Sequence, residues 1–151
     1  MKKILSWHEL KAVVDDLKAD GRRIVFTNGC FDIIHMGHIR YLKEAKLLGD
    51  VLVVGLNSDR SVSVIKPKRP INVQEHRAEV LSSLEMVDYI TLFDEETPYE
   101  LINLLKPDIL VKGGDWKKED IVGSDIAKET HVLPYIKGIS TSEIIEKIKS
   151  L

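Results

Sequence analysis

Residues 51–56, "VLVVGL", form an almost unbroken apolar run. A strand with one wet face alternates apolar and polar residues, so a run without alternation implies burial on both faces. Parallel sheets covered by helices on both sides meet that condition. Four other short segments have strand character: "RRIVFTN" (22–28), "YITLF" (89–93), "DILV" (108–111) and "HVLPYI" (131–136). Helical patterns stand between them. Ser6 and Glu9 have capping-box spacing, Leu10, Val13, Val14 and Leu17 follow as one apolar face, and Gly21 marks the stop. A second helix is expected from about His38 to Leu48, with Ile39, Leu42, Ala45 and Leu48 inward and Gly49 after it. Asn72 and Glu75 form a capping pair before "VQEHRAEVLSSL". Thr97 as cap with Pro98 at the first helical position opens another helix, which Pro107 ends. A weaker pattern covers 118–129, and Ser140 with Glu143 opens the last helix. The stretch "NSDRSVSVIKPKRPIN" (57–72) is polar, basic and proline-punctuated, and is expected mainly as a loop.

Strands and helices alternating at this pace define an α/β chain. The expected architecture is a Rossmann-like, doubly wound, mostly parallel sheet of five strands with helices on both faces. A length of 151 residues, without a linker or low-complexity segment, is expected to form a single domain over 1–151. Lys and Arg number 22 against 24 Asp and Glu, a net charge of −2. That balance argues against a dedicated nucleic-acid binder, which carries a basic excess. One cysteine, Cys30, excludes an internal disulfide or a multi-cysteine zinc site. The start "MKKILSWHELK" lacks the apolar core and cleavage site of a signal peptide, and no apolar run reaches membrane-spanning length. A soluble, cytoplasmic protein is expected.

The unusual residues all follow strands. After the first comes "TNGCFDIIHMGHIRYL" (27–42), with Asn28, Gly29, Asp32, His35, Gly37 and His38 in one strand-to-helix turn. After the second come Asn57 and the Lys66–Arg69 loop, after the fourth "KGGDW" (112–116), and after the fifth Gly138 to Ser142. Each has an ordinary explanation alone. A His-x-x-His pair suits a capping role, Cys30 a small buried thiol, "KGGDW" a plain turn and "KPKR" a solvated loop. Their coincidence at one end of one sheet is harder to explain that way, because ligands of open parallel sheets bind outside the carboxyl ends of the strands.

The inventory consists of donors and cations. Gly29 and Gly37 permit close backbone approach, and the helix beginning near His38 offers free N–H groups to a phosphate. Two imidazoles, the hydroxyls of "STS" (140–142) and the charges of Lys66, Lys68, Arg69 and Arg77 complete it. No Ser–His–Asp set or evident covalent nucleophile is present. This suits nucleotidyl transfer. A phosphate monoester is mostly dianionic at neutral pH and attacks without a general base. The barrier lies in charge on the α-phosphate and the leaving pyrophosphate.

"GCFDIIHMGH" (29–38) resembles the Gly-Thr-Phe-Asp-x-x-His-x-Gly-His signature of the cytidylyltransferase-like nucleotidyltransferases, and "GISTSEII" (138–145) resembles their Ile-Ser-Ser/Thr-Ser/Thr motif. With "VVGLNSD", "RPIN…RAEVL", "VDYI…FDEETP" and "KPDILVKGGDW", the chain is most similar to the adenylyltransferase domain of ADP-heptose synthases, from about Ile4 to Ile148. The resemblance implies transfer of AMP from ATP to D-glycero-β-D-manno-heptose 1-phosphate. It implies catalytic roles for His35, His38 and Lys66, and phosphate contacts from the backbone of Cys30 and Phe31. Nucleotide-binding roles fall to Asn28, Gly29, Gly37 and Arg77, and base and ribose contacts to Gly113, Gly114, Asp115, Trp116, Gly138, Ile139, Ser140, Thr141 and Ser142. Asp32, Asn57, Lys66 and Lys68 fall on the sugar-phosphate side. Mg²⁺ is implied, held mainly by nucleotide phosphates with no certain protein ligand, and a homodimer is an expectation of the same kind. Cys30 stands where the wider superfamily favours Thr. Tyr135 stands where glycerol-3-phosphate cytidylyltransferases place Arg, which turns the balance from CTP towards ATP. The alternatives are such a cytidylyltransferase and a nucleotide-binding regulatory module without turnover. A class I aminoacyl-tRNA synthetase relative would need a Lys-Met-Ser-Lys-Ser loop that is not in the chain.

Overall fold

The computed structural model describes residues 2–151. Its elements are α1 (Trp7–Ala19), β1 (Ile24–Gly29), α2 (Met36–Leu47), β2 (Val51–Asn57), α3 (Asp59–Ile65), α4 (Gln74–Ser82), β3 (Tyr89–Phe93), α5 (Tyr99–Leu105), β4 (Ile109–Gly113), β5 (Glu129–Leu133) and α6 (Thr141–Lys149). The five strands form one sheet in the order β3-β2-β1-β4-β5, with every neighbouring pair parallel. The order reverses between β1 and β4. This is the doubly wound architecture expected from the sequence.

The strand β2 shows why its sequence does not alternate. Leu52, Val54 and Leu56 pack with Leu42 and Ala45 of α2 and Ala78 and Leu81 of α4. Val51 and Val53 pack on the opposite face with Leu10 and Val14 of α1 and Leu101, Ile102 and Leu105 of α5. Gly55 interrupts the apolar run because a Cβ there would stand 2.8 Å from the ring of Phe26 on β1. At about 25 cal/mol per Å² of apolar surface, two such layers supply the main drive to fold.

Local signals account for most boundaries. Ser6 and Glu9 form the full capping box, Ser6 Oγ accepting from Glu9 N at 3.2 Å and Glu9 Oε1 accepting from Ser6 N at 3.0 Å. Ser140 caps α6 by accepting from Glu143 N at 3.1 Å.

Five expectations are corrected. The stretch 57–72 is not mainly a loop: α3 forms in it because Ser58 caps the helix through Ser61 N and Ser61 and Val62 are buried. Asn72 caps nothing, since its backbone and side-chain N–H groups are both drawn to Asp32, and α4 starts without a side-chain cap. Residues 118–129 hold one 3₁₀ turn, Lys118–Asp120, followed by bends that Gly123 (φ +92°) helps to shape. The Thr97 helix begins one residue late, at Tyr99. Finally α2 begins at Met36, two residues before His38, for a reason that belongs to the site.

Candidate active site

A cleft of about 810 Å³ opens along the carboxyl ends of the strands. It spans the reversal between β1 and β4, where a doubly wound sheet leaves a crevice. Although β1 runs to Gly29 and β4 to Gly113, their pairing ends at Phe26 and Leu110. Beyond that point the Tyr41 hydroxyl bridges them, 2.6 Å from Thr27 Oγ1 and donating to Val111 O at 3.1 Å. Burial pushes the Tyr41 phenol pKa well up, so the bridge stays protonated. Tyr41 shares a helix face with His38, and in the sequence it is indistinguishable from a core residue.

The turn after β1 is built by its own side chains. His35 is the N-cap of α2, its Nδ1 accepting from Gly37 N at 3.1 Å, while His38 Nδ1 accepts from His35 N at 3.2 Å. This reciprocal cap starts the helix two residues early. Gly37 is required because a Cβ would lie 2.9 Å from the His35 ring. The two rings stack with centroids 3.9 Å apart, and Phe31 tilts against His38 at 5.3 Å. Phe31 adopts φ +46° to bring its ring back over Gly29, where a Cβ would meet it at 2.8 Å.

Capping fixes the chemistry of both imidazoles. A ring that accepts at Nδ1 must carry its proton on Nε2. Each histidine is thereby a neutral donor with the free Nε2–H left for a ligand. Burial lowers the pKa of both, with His35 and Lys66 nearby adding to the effect at His38, which falls to about 4. The capping reading is met by these contacts, which leave both Nε2–H groups unused.

Around this turn the structure sorts the other expected residues. Asn28, Gly29, Cys30, Phe31, Asn57, Lys66, Gly113 and Trp116 line the cleft, as does every residue from Gly138 to Ser142. Thr141 Oγ1 donates to Ile33 O at 3.0 Å, tying the start of α6 to the β1–α2 turn. Asp32 also lines it, but its carboxylate is committed: it accepts from Ile71 N and Asn72 N at 2.8 Å each and pairs with Arg69 at 3.4 Å. Asp32 therefore acts as the anchor of the 66–72 loop. Lys66 ends α3 and stands exposed at the cleft, whereas Lys68 (φ +63°) lines a separate groove against α6. Gly114 and Asp115 do not line the cleft. Gly114 (φ +109°) is buried under the Tyr135 ring, which a Cβ would meet at 2.8 Å.

Arg77 departs most from expectation. It is not a mobile cation at the ligand but a clamp, 1% exposed, with all its contacts internal. Its guanidinium donates to Asn72 O, Cys30 O, Asn57 O and the Asp59 carboxylate. It thus ties the ends of β1 and β2 to the loop before α4. Cleft residues assigned no role from the sequence include Tyr41, Lys112 and Ile136. Burial raises the Cys30 thiol pKa despite Lys66 and Arg77 nearby, which suits an inert thiol rather than a nucleophile.

A sheet reversal crowned by a turn that offers imidazole and backbone N–H donors is the architecture of a nucleotide-binding α/β protein. The chain belongs to the cytidylyltransferase-like family, whose pattern it matches over residues 26–147. It is 56% identical over 148 residues to the bifunctional protein HldE of Nitratiruptor sp. and 53% identical over 148 residues to that of Helicobacter pylori. Each alignment covers 97% of this chain, which spans about a third of the length of the curated relatives it matches (32% and 31%). Among solved structures, it is similar to the lipopolysaccharide core biosynthesis protein from Thermoplasma volcanium (TM-score 0.64, 34% identity, covering 79% of this chain and all of that one). A pantoate-beta-alanine ligase from Francisella tularensis shares the fold at TM-score 0.63 and 18% identity, over 100% of this chain and 79% of that one. Membership of the cytidylyltransferase-like family makes this chain one of the nucleotidyltransferase kind.

Proposed function

We propose that the chain transfers AMP from ATP to a sugar 1-phosphate, D-glycero-β-D-manno-heptose 1-phosphate, giving ADP-heptose and pyrophosphate. An oxygen of the acceptor phosphate forms the new bond to the α-phosphorus, and the bond to the β-phosphate oxygen breaks. The observation that carries this reading is the reciprocal cap of His35 and His38, which leaves two neutral Nε2–H donors beside a helix N-terminus. Such donors stabilise charge on a departing pyrophosphate without proton transfer. The HldE relatives and the resemblance to ADP-heptose synthases support the acceptor.

In this reading base and ribose lie over Gly113, Trp116 and the 138–142 segment, and the acceptor lies towards Asn57 and Lys66. Among the described residues no group of three or more His, Cys, Asp or Glu is arranged to hold a metal ion. Mg²⁺ is proposed to arrive on the triphosphate, where it would neutralise phosphate charge. We further propose that the chain acts in the cytoplasm as a homodimer. No helix among the described residues is long and apolar enough to cross a membrane.

A panel of sugar phosphates against four nucleoside triphosphates, followed by pyrophosphate release, tests the proposal. At least tenfold higher kcat/KM with ATP than CTP is expected, a difference of about 1.4 kcal/mol. Equal use of both, or a preference for CTP with glycerol 3-phosphate, overturns the adenylyl and heptose assignment. Binding without any pyrophosphate release favours a regulatory module. Lys66 provides a second check. Exposed at the end of α3, it bears little packing, so Lys66→Ala should depress kcat/KM for the sugar phosphate by tenfold or more with Tm unchanged. A silent Lys66→Ala beside a crippled Lys68→Ala would shift the role to the other lysine.

A further inference from the structure

Lys112 is the fourth residue of β4 and lies half-buried in the cleft, beyond the point where β1 and β4 cease to pair. Its ammonium stands 5.4 Å from the centre of the Trp116 ring, and among the described residues it makes no ion pair or side-chain hydrogen bond. The titratable group it faces is the Cys30 thiol, and burial pushes the lysine pKa down. Partial burial of an ammonium without an anion is unfavourable, and one aromatic face offsets only part of the cost. Other cations near the cleft differ. Arg69 is paired with Asp32, Arg77 is consumed by four internal acceptors, and Arg40, Lys66 and Lys137 are exposed. Lys112 is the half-buried cation among them with its charge still unmatched.

Its position says which anion would match it. It lies next to Gly113, on the proposed base side, and Cys30 and the two histidines line the same crevice. A nucleotide laid from base to pyrophosphate along this path puts its first phosphate over the β1–β4 gap. We propose that Lys112 is a further catalytic residue whose ammonium grips the α-phosphate of the nucleotide, the group being transferred. It donates hydrogen bonds to the non-bridging oxygens and keeps its proton throughout. The acceptor oxygen bonds to the α-phosphorus, and pyrophosphate leaves with the bridging oxygen. Trp116 holds the ammonium until nucleotide arrives and then yields it to the phosphate.

The inference rests on the nucleotide orientation proposed above, and its test separates the two. Lys112→Met keeps the length of the stem and removes the charge, whereas Lys112→Arg keeps the charge. The probes are AMP and adenosine, or CMP and cytidine should the parent protein turn over CTP; a wrong base or acceptor then appears in the parent and leaves the comparison intact. Lys112→Met should weaken AMP at least fivefold while adenosine stays within twofold. Its kcat should fall about a hundredfold, with Tm at or above the parent value, and Lys112→Arg should recover most of both losses. A smaller loss of AMP affinity overturns the proposal. Equal weakening of AMP and adenosine also overturns it, because that result describes a lysine that shapes the base pocket.

Discussion

His38→Ala is expected to lower kcat by about two to three orders of magnitude, the scale for losing one preorganised donor to a developing charge. The cap geometry adds a second, smaller effect. His38 Nδ1 accepts from His35 N, so alanine also removes half of the reciprocal cap, at a cost of about 1 kcal/mol. Thermal unfolding should register that small loss and steady-state kinetics the large one. Near-full kcat in a variant that has lost stability would make the histidine a cap and nothing more. The imidazole itself can be followed by NMR, where its midpoint should lie near 4 instead of near 6.5. Because the folded pKa is depressed, the unfolded chain binds the extra proton between about pH 6.5 and 4. The contribution to stability is complete above pH 6.5 and is lost as the pH falls through that window. His38→Ala should flatten this part of the stability profile.

The sheet was legible because β2 cannot be explained without two covering layers, and the structure supplies both. Helix α3 was hidden because its seven residues are mostly polar, and its cap, Ser58, sits in a stretch whose prolines dominate the local pattern. Asn72 misled for a physical reason: its spacing to Glu75 is right for a cap, but Asp32, forty residues earlier, offers its amides a better acceptor. The early start of α2 was equally invisible, since histidine is an uncommon cap. Only the close approach allowed by Gly37 lets the ring fold back. In the candidate site, cleft-lining residues marked by side-chain type at a fixed spacing could be found from sequence. Residues such as Tyr41 could not, because its role depends on where two strands part, which spacing along one helix does not reveal. The same limit applies to arginines. A cation in a loop-rich, phosphate-binding chain suggests a ligand contact, and burial alone separates a clamp from a hand.

Arg77 makes that distinction measurable. Its guanidinium donates through Nε to Asn72 O at 2.8 Å and through Nη1 to Cys30 O at 2.7 Å and Asn57 O at 2.8 Å. Through Nη2 it meets Asp59 at 2.8 Å. Arg77→Met preserves much of the volume and removes every donor. Three backbone carbonyls and one carboxylate then lose their partner, and uncompensated buried acceptors cost about 1–3 kcal/mol each when water cannot reach them. Asp59 is partly exposed and can rehydrate, which holds the total near the cost of breaking a buried pair, about 3–5 kcal/mol. For a chain of this size, Tm should fall by on the order of 10 °C. Arg77→Lys should recover little, since one ammonium cannot reach acceptors spread over the ends of β1 and β2 and the loop before α4. Nucleotide affinity measured well below the lowered Tm should change much less than stability does. The opposite pattern, a parent-like Tm with ATP affinity lost, would restore Arg77 to the ligand and make its buried contacts incidental.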